Sequence, residues 1–143
     1  MPWGTQTNAK RPDEALGMPR FFDRAEVRRV LTPGGVLAVW TYGLQRVLPR
    51  IDPVLDRFYH EIVGPYWPPE RRYVDEAYRT IPFPFDEEPA PTRSMAMTWT
   101  LEQLLGYLST WSASQRYVQA TGEDPVARIA DEIAAAWGDP EEA

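Results

Sequence analysis

EVRRVLTPGGVLAVW, residues 26–40, is the stretch whose reading decides the fold. Its first half has helical spacing. Over residues 20–31, Val27, Val30 and Leu31 share one face and Arg28 and Arg29 turn away. Thr32 precedes a proline, which drives it out of helical geometry. Pro33-Gly34-Gly35 then suits a tight turn with positive φ at glycine. The second half, VLAVW at 36–40, is a short unbroken apolar run rich in β-branched residues. Such a run predicts a strand covered on both faces, as in a parallel sheet. Helix, turn and buried strand together are half of a βαβ crossover.

Upstream, residues 1–19 hold three prolines and two glycines without apolar period, and read as an irregular tail. Downstream, the chain leaves the strand through Thr41-Tyr42-Gly43. Asp52 and Pro53 then suit the cap and first turn of a helix with Leu55, Phe58, Tyr59 and Ile62 on one face. Gly64-Pro65 ends it. Residues 65–98 are rich in proline and aromatics, with a short helical piece near 71–78 and an extended loop after it. Their aromatic density argues against disorder. Thr100 and Gln103 form a capping box for a helix predicted to run to about residue 119, with Leu104, Leu105, Leu108 and Trp111 at helical spacing. A last helix starts at Asp124-Pro125, carries Val126, Ile129, Ala130, Ile133 and Trp137, and stops at Gly138. The predicted organisation is a tail (1–19), a partial α/β core (20–43) and a helical region (44–143).

Composition narrows the function classes. With 143 residues, 43% of them hydrophobic, the chain can bury one real core. A formal net charge of -6 disfavours a phosphate-backbone partner, so no nucleic acid is expected. No apolar run approaches the roughly 20 residues that span a bilayer, and the N-terminus lacks a signal-peptide pattern, so a cytoplasmic protein without a membrane partner is expected. The absence of cysteine removes disulfides, thiolate metal sites and thiol nucleophiles. His60 is the single histidine, and Asp86, Glu87 and Glu88 lack metal-ligand spacing, so no metal is expected.

The 26–40 string also resembles a signature of class I S-adenosylmethionine (SAM)-dependent methyltransferases, in which a helix ending R-V-L-x-P-G-G leads into a strand of a doubly wound sheet. Leu31, Pro33, Gly34 and Gly35 match it. Trp99-Thr100-Leu101, and Tyr107-Leu108-Ser109-Thr110-Trp111-Ser112-Ala113 after it, look like the trans-aconitate methyltransferase branch, where a T-W-S element lies in a late helical region. The Trp40-Thr41-Tyr42-Gly43 segment fits the same branch. The resemblance covers roughly residues 20–138. It implies a mostly α chain with a small β element, the C-terminal part of an α/β methyltransferase with a helical substrate cap. It also implies SAM as cofactor. Yet the family holds SAM by a Gly-rich turn and an acidic residue ending the next strand, and this sequence has no G-x-G. The expectation is therefore a methyltransferase portion that does not turn over by itself.

No catalytic residue is assigned, because methyl transfer to a carboxylate needs alignment more than a base. Five residues are candidates for substrate binding. Tyr42 lies where an open sheet places ligands, and could instead pack against the next helix. Trp111 and Ser112 carry the T-W-S match; Trp111 also falls on the stripe of Leu104 and Leu108. Arg79, next to Tyr78, offers a planar fork for a carboxylate, although a solvated surface charge is the commoner role. Trp67, between prolines, lines a pocket or pins the loop. The implied partner is a small molecule, with a carboxylic acid suggested by the branch. The competing reading is a non-enzymatic helical module that binds a ligand or a partner chain, for which an unpaired strand 36–40 would be the association point.

Overall fold

A computed structural model describes residues 24–83, 85–91 and 93–138. These residues divide into two compact units, one holding 24–41 and 72–89, the other 42–71 and 90–138. The expected tail over 1–19 and the first turn of the expected 20–31 helix lie outside the described residues.

In the first unit, α1 spans Arg24–Val30. Leu31 N–H still donates to the Val27 carbonyl at 3.0 Å, and the turn closes with Gly35 N–H to the Thr32 carbonyl at 2.8 Å. Gly34 takes φ 77°, as the Pro-Gly turn requires. The expected strand does not follow. Among the described residues there is no strand, and 36–40 is irregular. Val36 is 79% exposed and Trp40 80% exposed. The physical reason is that a strand covered on both faces needs ladder partners at its edges, and no other strand stands among the described residues to supply them. Only Leu37 of this run turns inward. It packs with Val27, Tyr78 and Phe83 around buried Tyr73 and Ile81.

The second unit is helical throughout. α2 spans Asp52–Arg57. Asp52 does not cap it; its carboxylate instead accepts from the Val47 N–H at 2.7 Å and folds the preceding turn. The same helical stretch widens at once into a π turn, Phe58–Ile62. α3 spans Arg71–Asp75 and carries the chain from the second unit into the first. α4 spans Leu101–Ser109, with both bonds of the capping box in place: Gln103 N–H to Thr100 Oγ1 at 3.2 Å and Thr100 N–H to Gln103 Oε1 at 2.9 Å.

The helix predicted to run to about residue 119 is two helices. α4 stops at Ser109 and α5 starts at Ser112, with Trp111 extended at φ -61°, ψ 139° between them. Side-chain hydroxyls supply the cause. Ser109, Thr110 and Ser114 each donate at 2.7 Å to a carbonyl of α4, those of Gly106, Tyr107 and Leu108. These bonds compete with helix continuation and satisfy carbonyls that its end would leave open. α5 spans Ser112–Thr121 and ends on left-handed Gly122. After a 3-10 turn, α6 spans Ala130–Trp137.

The core of this unit forms where α2, α4 and α6 meet. Ile51, Leu55, Phe58, Leu104, Leu108, Ile129 and Ile133 are fully buried there. Arg57 pairs with Glu132 on the rim, and Arg50 donates to the carbonyls of Ala136 and Trp137 at the end of α6. Exposed pairs of this kind add little; the apolar burial holds the unit together. Truncating Leu108 to alanine is expected to cost about 2–5 kcal/mol, and Thr100→Ala about 1 kcal/mol. Urea unfolding of the two variants checks the ranking.

Candidate functional site

One face of the second unit is a connected group of aromatic rings built around Trp111. The break between α4 and α5 holds this residue in extended geometry. Its ring centroid lies 5.8 Å from Phe58, 5.8 Å from Tyr59, 5.6 Å from Trp67 and 5.9 Å from Tyr107. Trp99 extends the group against Tyr107 at 4.8 Å. Tilted and edge-to-face pairs at these separations are favourable ring geometries, each worth about 0.5–1.5 kcal/mol beyond burial.

A guanidinium lies among the rings. Arg71 stacks 4.5 Å from the Trp67 ring centroid and 5.2 Å from that of Tyr59. Its Nε donates to the Tyr59 hydroxyl at 2.7 Å. Trp67 is fixed in turn, because its indole N–H donates to the Tyr59 main-chain carbonyl at 3.2 Å. The π turn makes this possible. Val63 N–H bonds to the Phe58 carbonyl, five residues back, and the Tyr59 carbonyl accepts a side chain at the widened turn.

Tyr107 completes the polar edge. Partial burial, the main cause, raises its phenol above the usual tyrosine range. Tyr42 adds to the rise, whereas Trp111 and the Arg71 charge oppose it. Tyr42 is thus an electrostatic neighbour of Tyr107 and not an isolated surface ring.

The sequence candidates fall as follows. Trp67 and Trp111 come together in this group, and Tyr42, largely exposed, acts on Tyr107 at its edge. Ser112 is exposed at the first position of α5, whereas the buried hydroxyl of the T-W-S region belongs to Ser114, which closes α4. Arg79 lies in the first unit, exposed, with Nε donating to the Glu76 carbonyl at 3.3 Å. Arg71, Tyr59 and Tyr107 were not among the binding candidates drawn from the sequence. The available signal was a Trp and an Arg four positions apart, Trp67 and Arg71, but the intervening Pro68-Pro69 hides it from any helical reading.

The described residues do not fit a cradle for SAM. The adjacent glycines, Gly34 and Gly35, are used to close a chain turn. A Cβ on Gly35 would meet the Thr32 carbonyl oxygen at 2.8 Å, so the close approach there is to the chain's own backbone. No group of three or more His, Asp or Glu that could hold a metal stands among the described residues.

Comparison with known proteins finds methyltransferase names. A Dictyostelium discoideum protein provisionally named a methyltransferase is 30% identical over 125 residues, which are 85% of this chain and 47% of that protein. A solved structure from Anaeromyxobacter dehalogenans, provisionally named a type II methyltransferase, superposes with a TM-score of 0.72 at 44% identity. It matches over 93% of this chain and 64% of its own. Over most of its length the chain is similar to proteins that bear methyltransferase names. It spans about half the length of the curated relative it matches. No family model matches the sequence. Among the described residues, no helix is long and apolar enough to cross a membrane.

Tyr107 yields a prediction with a definite sign. A phenol whose folded pKa is raised favours the folded state fully below the unfolded value of about 10, and loses that contribution as pH rises towards the folded value. Thermal melts above pH 10 are therefore expected to fall more steeply for the native chain than for Tyr107→Phe. Parallel curves for the two would contradict the assignment.

Proposed function

We propose that this chain is the acceptor-holding portion of a SAM-dependent class I methyltransferase acting on small molecules, with carboxylic acids as the substrate class, and that it lacks activity alone. The observation that carries the reading is the ring group joining Trp67, Trp111 and Tyr107, in a chain whose relatives bear methyltransferase names. Flat apolar walls with a few polar groups at the edge are the usual make-up of a small-molecule site. The helical second unit takes the part of the substrate cap. The 26–40 segment takes the part of the helix and turn that lead into the sheet, although it forms no strand among the described residues. SAM, when bound, supplies an electrophilic methyl group. The residues of this chain contribute by holding the acceptor and excluding water, which suits a reaction governed by alignment. A cytoplasmic location goes with this reading, as does the absence of nucleic-acid and membrane partners.

Two measurements test it. Calorimetric titration of the chain with SAM or S-adenosylhomocysteine is expected to give no saturable heat; saturable binding would overturn the claim that this chain does not hold the cofactor. Joining the chain to the part of the Anaeromyxobacter protein outside the match is then expected to yield transfer of labelled methyl groups into small carboxylic acids. Trp111→Ala is expected to lower kcat/KM about tenfold or more, equivalent to about 1.4 kcal/mol of transition-state binding. A folded, SAM-binding chimaera that labels no acid would sink the substrate assignment.

A second reading is favoured by one observation, the exposure of Val36, Val39 and Trp40. A second copy of the chain pairing along residues 36–40 would cover them, since an unpaired apolar segment is a template for strand addition. Sedimentation is expected to show a concentration-dependent dimer that Val39→Glu abolishes. A monomer at every concentration removes this reading.

A further inference from the structure

We propose that residues 93–98 are a contact surface for a second copy of this chain, and that two copies pair there as antiparallel strands centred on Ala96. The pairing goes beyond the acceptor-site reading and does not depend on it. The segment belongs to the second unit, whereas residues 36–40 belong to the first.

Residues 93–98 are all exposed and lie in no helix or turn. None of their main-chain groups is hydrogen-bonded within the chain. Two large apolar side chains stand among them, Met95 72% and Met97 69% exposed. Open N–H and C=O groups beside exposed apolar side chains are what strand addition uses. The folded unit holds the C-terminal end of the segment. There the Trp99 ring packs 4.8 Å from Tyr107, and Thr100 opens α4 with its capping box. The segment is therefore presented to solvent from a fixed point.

The order of side chains selects the partner. Ser94-Met95-Ala96-Met97-Thr98 reads hydroxyl, thioether, methyl, thioether, hydroxyl in either direction. A two-fold antiparallel pair lays a segment against itself reversed, so a segment symmetrical in character is complementary to its own copy. Centred on Ala96, the pair sets Met95 against the partner's Met97 and Ser94 against the partner's Thr98. Side chains alternate between the faces of a strand, so the thioethers gather on one face and the hydroxyls on the other, where they bond across the pair. Arg93 is the only charged residue between Pro91 and Leu101. It faces the partner's Trp99 and not another arginine, so no like charges are opposed. A shift of register by two residues in either direction would set one of the hydroxyls against the Ala96 methyl.

The native chain has no cysteine, so single-cysteine trapping reads the register directly. A short two-stranded pair is marginal in water, and trapping captures a transient contact that sedimentation misses. Opposed Cα atoms of an antiparallel ladder lie about 4.5–5.5 Å apart, within the reach of a disulfide. The full-length variants Ala96→Cys, Ser94→Cys and Thr98→Cys are each treated with oxidised glutathione, and the cross-linked dimer is followed by non-reducing electrophoresis. Ala96→Cys is expected to cross-link about tenfold or more faster than either of the others alone, because only position 96 faces itself and gains a high effective concentration. An equal mixture of Ser94→Cys and Thr98→Cys is expected to recover most of that rate. Adding Ala96→Pro to both members of the mixture removes a main-chain donor at the centre of the pair, and is expected to abolish the gain with an unchanged melt. Equal rates at the three positions, no gain on mixing, or a gain that survives the proline would each overturn the proposal.

Discussion

The second unit depends on how α4 ends. A helix with the apolar spacing of Leu101, Leu104, Leu108 and Trp111 would ordinarily run on and leave Trp111 on its stripe. Here hydroxyls of Ser109, Thr110 and Ser114 occupy carbonyls of the last turns, and the backbone extends at Trp111. The indole is thereby carried to Phe58 and Tyr59 on the π turn and to Trp67 beyond it. The hydrogen bonds are local and individually modest. Their effect is long-range, because they decide which side of the core the Trp111 indole occupies.

The aromatic group and the apolar core are continuous. Phe58 is fully buried in the core and also touches Trp111. Tyr59, its neighbour, is buried yet offers its hydroxyl to Arg71. A rigid foundation of this kind limits the rearrangement that a bound molecule would require. It also means that substitutions at Trp111 affect folding and binding together, whereas changes at the Tyr59 hydroxyl or at Arg71 fall more narrowly on the polar edge.

Much of the helical architecture was legible in the sequence. The capping box at Thr100 and Gln103 specifies two reciprocal hydrogen bonds, and both form. The apolar spacing of Leu55, Phe58 and Tyr59 specifies a buried face, and they are buried. Three features were hidden, each for a physical reason. The break before Trp111 leaves the apolar spacing intact, so periodicity runs straight across it. The VLAVW run has the composition of a buried strand, but a strand is a property of a pair, and composition cannot supply the partner. Arg71 meets Tyr59 across twelve positions and three prolines, a relation set by the π turn, which has no residue signature of its own.

The pairing of Trp67 with Trp111 has an optical consequence. Their ring centroids are 5.6 Å apart and their planes tilted by 43°. Indole transition dipoles this close and neither parallel nor perpendicular mix, splitting one absorption into two components of opposite rotational sense. The circular dichroism of the folded chain should therefore carry a couplet that belongs to this one contact. It would vanish when either indole is replaced, even where helix content is unchanged. The T-W-S break thus gives the second unit a chiral reporter of its own tertiary packing.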